Sequence, residues 1–241
     1  MKFENTDVWG FEHAIRGMRN PKNSWALSDS HWVSKTHQTP EGDWVTDWKE
    51  YAIGPKDERL MQTLIRSGPE HRKFMRQIIV SVDITAPLYW WKEFDTYKVG
   101  TVANSTSTMH KLTSAPITID CFEIDDYDDQ LAVDSSNGHW HTDMAWNYII
   151  ERCEDLRQMV LKTEDPVESK KYWKELVRIL PEAWLQKRTV TLNYENLLAI
   201  CSKSQRRFHK LTEWSKSFID WARTLPYAQE LIFIDEVTEN V

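Results

Sequence analysis

The chain has 241 residues, a formal net charge of −7 and 41% hydrophobic residues, with only seven glycines and nine prolines. This composition is typical of a folded globular protein rather than a disordered one. The excess of acidic residues argues against a nucleic-acid partner, because coating a polyphosphate needs a cationic surface. Three widely spaced cysteines argue against a disulfide framework. No run approaches the ~18 apolar residues of a membrane span, and the N-terminus lacks an apolar signal core. We therefore expect a cytoplasmic protein that does not enter a membrane.

The first predicted elements are two helices. A short helix is expected near His13–Met18, followed by irregular structure to about residue 50. The stretch 54–71 predicts a compact helix, because acidic residues stand at its start and Gly68 with Pro69 at its end. Its apolar residues share one helical face: Leu60, Met61, Leu64 and Ile65.

A strand and a helix are expected next. Apolar and polar residues alternate through 76–85, and this period of two predicts a half-buried strand with Ile78, Val80, Val82 and Ile84 on its inner face. Thr85 is the expected N-cap of the following helix, which Ala86 opens with Pro87 in its first turn. We expect this helix to run to about Tyr97, with Gly100 as its stop.

The second half of the chain is predicted to be mainly helical. An acidic stretch at about 123–142 indicates an exposed excursion, and helical patterns cover Ala145–Lys162 and Pro166–Leu180 until Pro181 interrupts them. A long amphipathic helix is expected to close the chain on apolar residues three and four apart: Phe208, Leu211, Trp214, Phe218, Trp221, Ala222 and Leu225. We interpret the whole as an α+β protein with one domain, 1–241.

One candidate site follows the expected helix that begins at Ala86. Lys98, Thr101, Asn104 and Ser107 supply one positive charge and several hydrogen-bonding groups suited to a phosphate. Short runs of serine and threonine are also common loop material, so a polar turn is the alternative. Local chemistry favours the polar turn and leaves the phosphate site open.

Two further clusters of polar residues could each be a binding site or ordinary protein surface. His139 and His141 with Asp143 have ligand types for a metal, but the surrounding sequence is also typical of a surface turn, and we predict no metal site. The C-terminal half is locally basic, which suits either an anion pocket or an ordinary solvated surface. Its basic residues are Arg178, Lys187, Arg188, Lys203, Arg206, Arg207, His209 and Lys210. Nucleophile-elbow, Walker, zinc-protease and Rossmann motifs are absent from the sequence.

The order of these segments resembles the flavin-dependent thymidylate synthases, the ThyX family. That family has a helix ending near a glycine, a histidine, a strand, and a helix that begins Ala-Pro and runs into R-H-R-x-x-S-x-N-E-x-S-x-R. Here the spacing from His71 to Ala86, and onward to Lys98 and Thr101, matches the family without a gap. The resemblance covers most of the chain and leaves the acidic stretch at 123–142 unmatched.

The resemblance implies roles for particular residues. On the flavin side it implies His71, Tyr97, Lys98, Thr101, Asn104 and Asn193. On the nucleotide side it implies Glu93, Thr96, Ser107, Arg178, Arg206 and Arg207. Lys98, Arg178 and Arg207 are the residues expected to hold and polarise the nucleotide during catalysis.

Several positions depart from the family pattern. The first signature arginine, the histidine and the last arginine are replaced by Thr96, Tyr97 and Met109, and a glutamine is replaced by Glu93. Each charged hydrogen bond to a phosphate is worth roughly 1.5–3 kcal/mol, so these losses weaken an ordinary dUMP site.

The resemblance implies an activity and an assembly. The activity is the reductive methylation of dUMP to dTMP on FAD, with methylenetetrahydrofolate and NADPH as co-substrates. The assembly is a homotetramer with active sites between subunits. Two alternatives stay open: a relative acting on another nucleotide, and a non-catalytic protein that binds a nucleotide or a partner and has lost FAD.

Overall fold

The structure is a computed structural model that describes residues 1–124 and 142–237. The strands are β1 (Lys2–Trp9), β2 (His31–Gln38), β3 (Trp44–Ala52), β4 (Ile79–Pro87), β5 (Val102–Ser105) and β6 (Leu185–Asn193). The helices are α1 (Phe11–Arg19), α2 (Pro55–Arg66), α3 (Leu88–Phe94), α4 (Thr108–Lys111), α5 (Thr142–Lys162), α6 (Pro166–Ile179), α7 (Tyr194–Cys201), α8 (Lys203–Arg206), α9 (Ile219–Arg223), α10 (Ala228–Leu231) and α11 (Ile234–Val237). Short 3-10 turns lie at Asn20–Lys22, Trp25–Leu27, Arg72–Gln77 and Ile119–Cys121, and a π-helical turn at Glu213–Phe218 leads into α9. The predicted α+β class is confirmed.

Four strands form one sheet in the order β1-β4-β6-β5. The predicted alternation in β4 is confirmed, because Val80, Val82 and Ile84 are fully buried while Ser81 and Asp83 are half-buried. The predicted helices α1, α2, α5 and α6 are also confirmed, each within a few residues of the expected bounds.

The expectation of irregular structure before residue 50 was wrong. Strands β2 and β3 pair antiparallel there, from His31 opposite Ala52 to Gln38 opposite Trp44. Most of the described side chains of β2 and β3 are exposed, so no buried face imposes an apolar period of two on their sequence. Gly42 turns the chain between the strands at a φ of 92°.

The expected bounds of α3 were also wrong. Thr85 and Ala86 continue β4, and α3 begins only after Pro87. The residue before a proline is held in extended backbone by the proline ring, which explains why Ala86 does not open the helix. At the other end α3 stops at Phe94 rather than near Tyr97.

Helices α5 and α6 pack against each other and share a hydrophobic cluster. Its buried members are Leu112, Ile117, Phe122, Cys153, Leu156 and Leu176. Asp165 caps α6 by accepting a hydrogen bond from the Val167 backbone N–H at 3.0 Å.

The C-terminal region is helical, as predicted, but the expectation of one continuous helix was wrong. The turn Glu213–Phe218 and α9 make a single run that ends before Pro226. Tyr227 then adopts left-handed backbone, with a φ of 54°, which no α-helix continues. Phe208 and Leu211 lie before this run, and both are exposed.

The described chain divides into two compact units. The first contains Met1–Lys2, Asp83–Thr96 and the described part of Asn104–Thr189; the second contains Phe3–Val82, Tyr97–Ala103 and the described part of Val190–Val241. The single domain stays a prediction, and residues 125–141 of the acidic stretch lie outside the described residues. Across 1–124 and 142–237, none of the helices has the length and apolar character needed to span a membrane.

Candidate functional site

The first turn of α7 is the centre of the candidate site in the second unit. Asn193 and Asn196 form a reciprocal cap: the Asn196 N–H donates to Asn193 Oδ1 at 3.0 Å, and the Asn193 N–H donates to Asn196 Oδ1 at 3.1 Å. Glu195, between them, accepts hydrogen bonds from Arg72 and Arg76. We call Asn193, Glu195 and Asn196 the α7 cap. It ties the segment that follows His71 to the start of α7.

A second segment, 97–101, is bound to the same cap. Asn196 Nδ2 donates to the Val99 carbonyl at 2.6 Å, and Thr101 Oγ1 donates to the Tyr97 carbonyl at 2.5 Å. Lys98 lies in this loop with its side chain exposed. The α7 cap therefore holds the backbone next to Lys98 at Val99, and Thr101 closes the loop on Tyr97, while the Lys98 side chain stays exposed.

Gly100 allows this close approach. Its φ is 78°, and a Cβ atom there would lie 2.8 Å from Asn193 Nδ2. Since Asn193 Oδ1 is engaged in the α7 cap, the amide cannot move away without weakening that cap.

We expect Gly100→Ala to lower the free energy of unfolding by about 2–3 kcal/mol, roughly 1–2 for the left-handed backbone and about 1 for the disturbed cap. The matched control is Gly68→Ala. Gly68 has a φ of 105° and nothing within 4 Å of its missing Cβ. Urea unfolding of both variants measures the difference, and equal losses would contradict the role of the α7 cap.

Tyr97 connects this loop to a third segment. Its hydroxyl accepts a hydrogen bond from Gln205 Nε2 at 2.9 Å and lies 3.4 Å from His209 Nε2. The His209 ring stacks on Trp214 with centroids 4.7 Å apart. Sequence reasoning included Tyr97 but missed Gln205 and the positional role of His209, because their partner lies more than 100 positions away.

Arg206 and Arg207 are neighbours in the sequence but have different surroundings in the structure. Arg206 donates to Glu236, which also accepts from Arg223 Nη2 at 2.8 Å. Burial alone raises the pKa of Glu236, but the hydrogen bonds from Arg223 and Arg206 outweigh it and lower the pKa below its ordinary value. Arg207 is exposed and donates from Nε to the Ser204 carbonyl at 3.2 Å. Arg207 is therefore the more available cation.

The remaining predicted residues lie in the first unit. Glu93 is in the last turn of α3 and Thr96 follows the helix, where its Oγ1 donates to the Glu93 carbonyl at 2.7 Å. Ser107 caps α4 by accepting from the His110 N–H at 3.2 Å. Asn104 is exposed on β5, and Arg178 is exposed and paired with Glu175 at 2.9 Å.

The candidate ligand-binding side chains of the second unit differ in whether they already bond to other protein groups. Among residues 1–124 and 142–237, the side chains of Lys98 and His71 have neither a hydrogen bond nor an ion pair, and both are exposed. Asn193 and Arg206, by contrast, are engaged with protein groups. Available positive charge in the second unit thus includes Lys98 and Arg207.

Most of the residues considered as metal ligands lie outside the described part of the chain. His139 and His141 lie beyond the described residues, as does the side chain of Asp143. The described ranges contain no group of three histidine, cysteine or acidic side chains placed to hold a metal ion.

The architecture defines this chain as a protein of the ThyX fold. Among solved structures it is similar to the flavin-dependent thymidylate synthase ThyX from Helicobacter pylori complexed with FAD and dUMP, with a TM-score of 0.60 and 14% identity over 98% of this chain and 99% of that one. It is also similar to the UMP/dUMP methylase PolB from Streptomyces cacaoi bound with 5-Br dUMP, with a TM-score of 0.56 and 13% identity over 97% and 94% of the two chains. No protein-family model and no curated protein matches the sequence. At these identities the likeness is one of fold.

Proposed function

We propose that this chain binds FAD and reductively methylates dUMP to dTMP, with methylenetetrahydrofolate as carbon donor and NADPH as reductant. The observation that carries the proposal is a chain of contacts between separate segments: the α7 cap binds the segment that follows His71 and the loop at Lys98, and Tyr97 of that loop binds Gln205. These segments bear residues that the ThyX resemblance assigns to the flavin or the nucleotide: His71, Lys98, Thr101, Asn193 and Arg207. The fold, shared with a ThyX structure that contains FAD and dUMP, supports the same proposal.

The chemistry of these residues fits a phosphate-bearing flavin. The exposed ammonium of Lys98 supplies a charge for a diphosphate, and His71 supplies an exposed imidazole without a protein partner in the described ranges. Bound FAD would supply the reducing equivalents for the methyl transfer. The protein's contribution is to hold and orient: Lys98 and Arg207 bind anionic groups, and Tyr97 holds the loop that bears Lys98.

The proposal assigns roles to residues of the first unit as well. Arg178 would bind and polarise the nucleotide, while Glu93, Thr96 and Ser107 would contact it and Asn104 would contact the flavin. On this proposal the enzyme is a cytoplasmic homotetramer with active sites between subunits. Light scattering of the purified protein tests the assembly directly.

Release of tritium from [5-³H]dUMP, in the presence of FAD, methylenetetrahydrofolate and NADPH, tests the reaction. We expect release from the flavin-loaded protein. No release by a protein that retains FAD would reject the dTMP reaction, and a colourless protein that FAD does not stabilise would favour a non-catalytic binding protein.

A second substrate is favoured by one observation. PolB, a structural neighbour, is a UMP/dUMP methylase, and a structure with 5-Br UMP also matches this chain. Glu93 stands where the ThyX pattern has a glutamine, which changes the hydrogen bonding available to a nucleotide. Running [5-³H]UMP beside [5-³H]dUMP separates the two substrates.

Lys98→Met should weaken FAD binding about 10- to 100-fold, because one charge-assisted hydrogen bond to a phosphate is lost. Fluorescence titration of FAD measures the affinity. Lys56→Met, at an exposed lysine on α2, is the matched control and should bind FAD like the wild type. Equal affinity of the Lys98 variant and the control would remove Lys98 from the flavin site.

A further inference from the structure

A cavity of about 550 Å³ lies in the second unit, between the β1–α1 turn, the β2–β3 hairpin and the segment at Pro226 and Tyr227. Its volume is in the range of small-molecule sites. None of the twelve lining residues was predicted to bind the flavin or the nucleotide, so an inference from this cavity stands without the proposed function.

The charge of the cavity is one-sided. Three carboxylates line it, those of Asp7, Glu12 and Glu50, while no lysine or arginine does. The guanidinium of Arg16 approaches a lining residue, with Nη2 3.3 Å from His13 Nδ1, but does not itself line the cavity. The lining carboxylates repel phosphates and attract cations.

Five of the other nine lining residues are aromatic. Trp9, Phe11, Trp32, Tyr51 and Tyr227 all line it, and Trp32 is about half exposed. Indole and phenol faces attract ammonium groups through their ring quadrupoles, and a nearby carboxylate adds its own attraction for the cation.

Two contacts join the aromatic and acidic parts. Trp32 Nε1 donates to Glu12 Oε2 at 3.3 Å, and the Trp32 and Tyr51 rings form a T-shaped pair with centroids 5.2 Å apart. Burial raises the pKa of the Tyr51 hydroxyl, and the charges of Glu12 and Asp57 raise it further. The negative charge of Glu12 therefore acts on the aromatic residues Trp32 and Tyr51.

The walls are held by strained or closely packed backbone. Tyr227 is a non-glycine residue in left-handed conformation, and its hydroxyl accepts from the Ile53 N–H at 2.9 Å. Gly10 has a φ of 100°, and a Cβ there would lie 2.0 Å from the Gln77 carbonyl oxygen. Strain at a non-glycine residue such as Tyr227 is concentrated at functional sites, ligand-binding sites among them.

From the charge, the rings and the volume we propose that this cavity binds a small organic ammonium compound, with the cationic group against Trp32 and Glu12. The neutral part of the ligand would pack on the remaining aromatic side chains. Recognition would depend on positive charge rather than on shape alone.

Calorimetric titration with choline and with 3,3-dimethylbutan-1-ol, its neutral isostere, tests the proposal. We expect saturable binding of choline and none of the alcohol. Glu12→Gln keeps an acceptor for Trp32 but removes the charge, and Trp32→Leu removes the ring; each should weaken choline binding about tenfold. Glu41→Gln, at an exposed carboxylate outside the cavity, is the control and should leave binding unchanged.

Far-ultraviolet circular dichroism verifies that the variants are folded. The proposal is overturned if choline shows no saturable binding, if the alcohol binds as tightly, or if Glu12→Gln binds choline like the wild type. None of these outcomes depends on FAD or on methyl transfer, so failure here and failure of the proposed function are distinguishable.

Discussion

Replacing Asp57 with alanine should lower the free energy of unfolding by about 3–5 kcal/mol, because it leaves a buried guanidinium without its counter-ion. Asp57 is fully buried, and its Oδ1 accepts from Arg19 Nε at 2.6 Å. Its Oδ2 accepts from the hydroxyls of Ser28 and Ser30 at 2.6 and 2.7 Å. The pair joins the end of α1 to the first turn of α2.

Urea unfolding measures this loss. Asp155→Ala, at an exposed aspartate on α5, is the control and should change stability by no more than about 0.5 kcal/mol. The double variant Arg19→Met with Asp57→Ala should cost less than the sum of the single variants, since neither charge is then left alone. Strict additivity would show that the two groups do not interact.

The same carboxylate predicts a dependence on pH. Burial alone raises the pKa of Asp57, but hydrogen bonds from Ser28, Ser30 and Arg19 outweigh it and lower the pKa below its ordinary 3.8. A lowered pKa in the folded state stabilises the protein above pH 3.8, and this stabilisation is lost as the pH falls through the folded pKa. Stability of the wild type should therefore fall more steeply below pH 3.8 than that of Asp57→Ala.

Replacing Trp91 with alanine should cost about 3–5 kcal/mol, through the cavity and the lost contacts. Trp91 is fully buried in the first unit, and its Nε1 donates to the carbonyls of Ala86 at 3.1 Å and Gln186 at 2.9 Å. The Arg188 guanidinium lies 4.2 Å from the ring centroid. One side chain thus ties α3 to β4 and β6.

Trp91→Phe should cost less, about 1–3 kcal/mol, because it keeps most of the apolar burial but leaves the two carbonyls without this donor. Trp44→Ala is the control, since Trp44 is 72% exposed and should contribute no more than about 0.5 kcal/mol. Thermal and urea unfolding compare the three variants. A Phe variant as unstable as the Ala variant would assign the loss to the hydrogen bonds rather than to packing.

The structure also shows what surrounds the segment 96–98, which the sequence resemblance aligns with the ThyX signature. Thr96 hydrogen-bonds within its own turn, and Tyr97 accepts from Gln205, so both side chains have partners in the protein. Lys98 has none in the described ranges and stays exposed. The positive charge of Lys98 is therefore available to a ligand. Which groups contact the flavin and the nucleotide stays a prediction.

Sequence reasoning predicted those elements whose pattern is set locally. The strand β4 alternates because one face is buried, and α2, α5 and α6 show helical periodicity with acidic or proline starts. The hairpin β2–β3 was missed because its exposed faces leave no such pattern.

The amino-acid pattern alone was enough to predict the α+β class, the buried face of β4, the helices α1, α2, α5 and α6, and the order of segments that resembles ThyX. Three features became known from the folded chain: α3 begins after Pro87, Arg206 is paired with Glu236 while Arg207 is exposed, and the α7 cap binds the loop at Lys98. The difference lies in the distance along the chain over which each interaction acts. Periodicity and capping act within a few residues, whereas the partners of Arg206 and Asn196 lie 30 and 97 positions away along the chain.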